Sequence, residues 1–139
     1  MSIPYGYAWG ERRPVPWPVD STTADINVGD LMVIATAGYC AQAAAGANIV
    51  IGVAMEEVDS PSADGDATCL IDMSDQSVYV FPPDAGSVSA GLAGLTADVG
   101  GPQSIDIDAS TDDNIHILRA DVTNNLVYVS IIHKPGGVV

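Results

Sequence analysis

The sequence predicts an all-β protein: a small β-sandwich or β-barrel domain of about seven strands behind an extended N-terminal arm. Three observations carry this. Short runs rich in Val, Ile, Tyr and Thr alternate with clusters of Gly, Asp, Asn and Pro, apolar residues rarely recur at helical spacing, and the first two dozen residues have a separate, proline-rich texture. A chain of 139 residues suits one core. With 47% hydrophobic and 16% charged residues, it can offset the entropy of ordering.

The arm spans 1–24. Residues 2–24, SIPYGYAWGERRPVPWPVDSTTA, hold four prolines and two glycines. Prolines at 14, 16 and 18 remove backbone donors and favour a polyproline-like path, so the segment is expected to stay outside any sheet.

The β domain is expected to span 25–139. Its strands are LMVIAT (31–36), IVIGVAM (49–55), ATCLIDM (67–73), SVYVF (77–81), SIDI (104–107), IHILRA (115–120) and LVYVSII (126–132). The Ala-rich YCAQAAAGAN (39–48) carries a glycine and lies between two strands, which favours a hairpin over a helical turn. Segments 59–67 and 81–103 are rich in Gly, Ser, Asp and Pro and read as loops, the second with room for a short strand or helical turn at 92–97. Asn124 and Asn125 tolerate positive φ, so 115–132 is predicted to be a hairpin with a tight turn. Its second strand is apolar on both faces, Val127, Val129 and Ile131 against Leu126, Tyr128 and Ile132. Leu126, Tyr128 and Ile132 are therefore candidates for an oligomer interface.

Charge narrows the function. The net charge is −14, and the four cations are Arg12, Arg13, Arg119 and Lys134. Residues 14–118 carry no cation but 16 of the 18 acids. Such a field repels nucleic acid and anionic membranes, so neither is expected as a partner. No run approaches the roughly 18 apolar residues that cross a bilayer, and the first twenty residues lack a secretory pattern, so the sequence reads as soluble and not exported. Cys40 and Cys69 then read as small buried side chains rather than a disulfide.

Catalytic and metal signatures are missing. DIDASTDDN (106–114) spaces Asp106, Asp108, Ser110 and Asp112 like the start of a calcium loop, but Thr111 stands at the sharp turn and Ile117 at the bidentate position, so a solvated acidic turn is expected. His116 and His133 have no metal-ligand spacing, no serine sits in a nucleophile elbow, and GLAGLTADVGG (91–101) lacks the lysine of a phosphate loop. The expectation is no enzyme, no metal and no cofactor.

The arm remains. Tyr5, Tyr7, Trp9, Arg12, Arg13 and Trp17 are residue types enriched at interface hot spots. The composition also suggests apolar surface that another chain covers. The arm either reaches a neighbouring subunit or packs back over an open sheet edge of its own domain.

The order and texture of INVGDLMV, NIVIGVAMEEV, DATCLIDMSDQSVYVF with its following PPDAGS, LTADVGG, IDIDASTDDNIHILRAD and NNLVYVSII resemble the capsid decoration, or cement, proteins of tailed bacteriophages. These stretches cover most of the chain, though none is a catalytic signature. The resemblance implies a protein on the outer surface of the virion, made in the host cytoplasm, that binds the mature head as a homotrimer and holds neighbouring major capsid subunits together. It implies capsid contacts through the six arm residues, with Arg12 and Arg13 pairing with shell carboxylates. The alternative is a surface-displayed β-sandwich binding module for carbohydrate or calcium-dependent adhesion, since acidic loops and exposed rings suit sugars too.

Overall fold

The computed structural model describes residues 5–47 and 49–133. They form an all-β domain of two antiparallel sheets, neither closed into a barrel. In chain order the strands are β1 (Gly6–Trp9), β2 (Pro14–Pro18), β3 (Leu31–Ile34), β4 (Cys40–Gln42), β5 (Val50–Ala54), β6 (Thr68–Asp72), β7 (Val78–Phe81), β8 (Thr96–Gly101), β9 (Ser104–Asp106), β10 (Ile115–Asp121) and β11 (Leu126–Ile131). The six-stranded sheet runs β1-β7-β11-β10-β8-β9 and the five-stranded sheet β2-β6-β5-β3-β4. Short 3-10 turns sit at Thr36–Gly38 and Ala90–Leu92.

All seven predicted strands are present, as β3, β5, β6, β7, β9, β10 and β11. The predicted hairpin is β10–β11, with Asn125 at φ 54 in its turn and Asn124 donating from its amide and side chain to Asp121. The number of strands was nevertheless underestimated. β4 completes the hairpin expected within 39–48, and β8 is a six-residue strand that begins within the 92–97 stretch allowed for a short strand but runs on into the segment expected to be a loop. Its sequence, TADVGG, is poor in β-formers, but pairing with β9 and β10 imposes the extended form.

The larger correction concerns the arm. It does not stay outside the sheets: β1 is the edge of the six-stranded sheet, beside β7, and β2 is the edge of the five-stranded sheet, beside β6. The physical reason lies in the spacing of the prolines. Met73 N–H donates to Arg13 O at 2.9 Å and Val19 N–H to Ala67 O at 3.0 Å, so the odd-numbered residues of this stretch face β6. Pro14, Pro16 and Pro18 then turn their donor-less nitrogens to the open edge, where a strand needs no N–H. Alternating prolines make an edge strand that a further strand cannot extend with a full ladder.

Two cores result. Between the sheets, Leu31, Val50 and Val53 meet Tyr79, Phe81, Val99, Ile105, Ile115, Ile117, Val127, Val129 and Ile131. On the other side of the five-stranded sheet, Val19, Ile26, Met32, Cys40, Ile51, Ala54, Cys69 and Ile71 form a second cluster. The five-stranded sheet wraps this cluster, because Val19, just past β2, makes a parallel bridge to Cys40 of β4. β5, apolar on both faces, divides the two cores: Val50 and Val53 turn one way and Ile51 and Ala54 the other. Gly52 is required there, since a Cβ would lie 2.1 Å from the carbonyl oxygen of Asp72. The two cysteines are free thiols within the second core, as the sequence suggests, and burial pushes Cys40 up to about 11 and Cys69 up to about 12.

Candidate binding surface

Four aspartates, Asp20, Asp30, Asp72 and Asp98, are buried although residues 14–118 contain no cation to pair with them. Neutral donors take that role for Asp20, Asp30 and Asp98, and Asp72 adds Arg12, from before that stretch, to its own neutral donors. Asp30 accepts from Asn27 N–H and from the side-chain amides of Gln42 and Gln103. Asp98 accepts from the amides of Thr111, Asp112 and Asp113 at 2.9–3.0 Å. The acidic loop at 106–114 thus wraps its backbone amides around a carboxylate from β8. Among the described residues, no group of three His, Cys, Asp or Glu is placed to hold a metal ion.

Asp72 organises the N-terminal segment. It ends β6 directly after the apolar run 69–71, and its side chain is fully buried. Its Oδ1 accepts from Arg13 N–H at 2.9 Å and Ser74 N–H at 3.1 Å; its Oδ2 accepts from the Ser77 hydroxyl at 2.7 Å and the Tyr79 hydroxyl at 2.9 Å. Burial alone would raise its pKa, but these bonds outweigh that and hold the carboxyl below its usual range. Burial and the adjacent carboxylate push Tyr79 upward, so its hydroxyl remains a donor. Ser74 donates its hydroxyl to Glu11 O, adding a second tie to the same segment.

This node separates the two arginines. Arg12 points inward, with its guanidinium 3.7 Å over the Tyr7 ring and its Nε 3.9 Å from Asp72 Oδ2. Arg13 gives Asp72 only its backbone N–H, and its side chain is exposed. The expectation that both arginines reach out together therefore changes, because one is drawn to the buried carboxylate.

The aromatic residues divide between the sheets. On β1 and just before it, Tyr5, Tyr7 and Trp9 are 46%, 37% and 48% exposed. Trp9 stacks on Tyr128 of β11 with ring centroids 5.3 Å apart, and Arg119 of β10 lies 5.4 Å from the Tyr128 ring. Arg12, Tyr7, Trp9, Tyr128 and Arg119 thereby make a strip of rings and guanidinium groups across one edge of the six-stranded sheet. Trp17, on β2, is half-buried and donates its indole N–H to Gly38 O at 2.8 Å. It fastens β2 to the turn after β3 and does not belong to the strip.

Of the candidate interface residues, Leu126 is buried within its own chain, while Tyr128 and Ile132 are half-buried, Tyr128 beneath Trp9. The apolar outer side of β11 is covered in part by the N-terminal segment. Sequence reasoning missed the aspartate nodes. A usable signal was present, since Asp72 comes directly after an apolar run and is followed by Ser74, Ser77 and Tyr79.

The fold and this surface define a β domain with an exposed patch of rings and cations and no metal cluster among the described residues. The chain matches no protein-family model and no curated protein.

Proposed function

We propose that this protein is a non-enzymatic binding module that attaches to a larger surface through the strip formed by Tyr5, Tyr7, Trp9, Arg12, Tyr128 and Arg119. The observation that supports this is the exposure of three large rings, two on one short edge strand and one just before it, beside cations that are scarce elsewhere in the chain. The few residues that carry most of the binding energy in protein interfaces are enriched in Trp, Tyr and Arg.

Within that class, the resemblance to decoration proteins makes the surface the outside of a mature phage head. The partner is then the major capsid protein, the protein acts as a homotrimer, and it sits on the virion without nucleic acid or membrane contact. A charge of −14 suits a protein exposed outside a DNA-filled shell. The test mixes the purified chain with undecorated, expanded heads, followed by sedimentation and imaging. Added density at three-fold positions is expected; a chain left wholly in the supernatant defeats the capsid reading.

The same exposed rings suit stacking on sugars, which supports the carbohydrate form of the alternative. Saturable retention on a glycan array, abolished by Trp9→Ala, would favour that reading. The calcium-dependent form has less support, since the acidic loop turns amides onto Asp98.

A further inference from the structure

We infer that a groove beside β2 is a second contact site, which takes an extended protein segment that sets an apolar side chain on Trp17 and a carboxylate on Arg13. The groove encloses about 480 Å³ and is lined by Arg13, Val15, Trp17, Met73, Asp75 and His133. Val15, Trp17 and Met73 make part of its lining apolar, and Arg13, Asp75 and His133 make the rest charged or polar.

Charge selects the occupant. Among the described cations, Arg12 is held between Asp72 and Tyr7, and Arg119 lies over Tyr128. Arg13 alone among them has a guanidinium with neither an ion pair nor a ring contact among the described residues. An anionic partner is repelled by most of this chain and finds its opening here. Asp75 in the same lining opposes a second carboxylate, so the groove favours a single acid next to an apolar residue.

The site is also held in place before anything binds. The Arg13 N–H is fixed on Asp72, Pro14 follows it directly, and the Trp17 indole is pinned to Gly38 O. A guanidinium carried on a fixed backbone loses less entropy when it forms a bidentate pair. Because β2 offers its open edge no N–H, a visiting strand cannot build a full ladder, which leaves recognition to these side chains.

This inference rests on the reading that the protein docks on other proteins, and its test is separate from capsid attachment. The probe is a short blocked peptide carrying leucine next to glutamate, with a glutamine counterpart, titrated while the Trp17 indole N–H and the His133 ring are followed by NMR. The expected result is saturable shifts with the glutamate peptide and binding at least about tenfold weaker with the glutamine peptide or with Arg13→Ala. Equal binding of the two peptides, no dependence on Arg13, or no saturable shift overturns the groove assignment. Peptide binding without attachment to heads upholds the groove and defeats the capsid reading. Attachment to heads without saturable peptide binding does the reverse.

Discussion

Replacing Asp72 by alanine removes the acceptor of four hydrogen bonds from Arg13, Ser74, Ser77 and Tyr79, in a position closed to water. Hydrogen bonds to a charged group contribute about 1.5–3 kcal/mol each, but the two hydroxyls can find other acceptors, and Ser77 already lies 3.3 Å from Glu11 O. The two backbone amides have no such freedom. A net loss of about 4 kcal/mol follows, within the range of about 3–5 kcal/mol for breaking a buried charged contact. For a domain of this size it corresponds to a fall in Tm of roughly 15 °C. Asp72→Asn retains one oxygen for the Arg13 and Ser74 amides and presents its NH2 to hydroxyl oxygens that can accept, so about half the loss is expected. Urea unfolding monitored by tryptophan fluorescence measures both variants. The folded-state pKa of Asp72 lies below its unfolded value, so its contribution is complete above the unfolded value near 3.8 and is lost as pH falls through the folded one. The wild type should therefore lose its advantage over Asp72→Asn below about pH 4. If Asp72→Ala costs less than about 1 kcal/mol at neutral pH, the donors are being satisfied by water, and the account of how the N-terminal segment is held fails.

Two further outcomes follow from the packing. Gly52→Ala puts a Cβ 2.1 Å from a backbone carbonyl that cannot turn away, so a loss of about 3 kcal/mol or failure to fold is expected; unchanged thermal unfolding would mean that β5 and β6 lie farther apart. Replacing Pro14, Pro16 and Pro18 together by threonine gives the outer edge of β2 its missing donors. Light scattering should then show self-association beyond the wild-type oligomeric state, and an unchanged mass at high concentration would argue against edge protection as the role of the prolines.

The docking residues took a different form from the one their sequence neighbourhood suggests. Tyr5, Tyr7 and Trp9 remain exposed, but Arg12 and Arg13, adjacent in sequence, have separate roles because alternate residues of an extended chain point in opposite directions. Deletion of the first twenty residues therefore removes an edge strand from each sheet as well as the part of the strip that β1 and Arg12 supply. Loss of binding in such a variant reports on folding and docking together, whereas single changes at Trp9 and Arg13 separate them.

Local sequence sufficed for whatever depends on neighbours in the chain. Short runs of β-branched and apolar residues bounded by turn residues marked the seven main strands, and the Asn124–Asn125 pair marked the β10–β11 turn, since positive φ is a property of a single residue and its side chain. The failed calcium spacing and the absence of cations from 14–118 were equally plain. Tertiary structure alone decided which strands lie side by side, that the proline-rich stretch edges both sheets, and that four aspartates lie inside among mainly neutral donors. Proline spacing is compatible with a free polyproline path and with a protected edge. Only the presence of β6, with Arg13 and Val19 bonded to it, selects the edge. In the same way an aspartate reads as a surface residue until Arg13, Ser74, Ser77 and Tyr79 converge on it, because the free energy of burying a charge depends on donors brought together from distant parts of the chain.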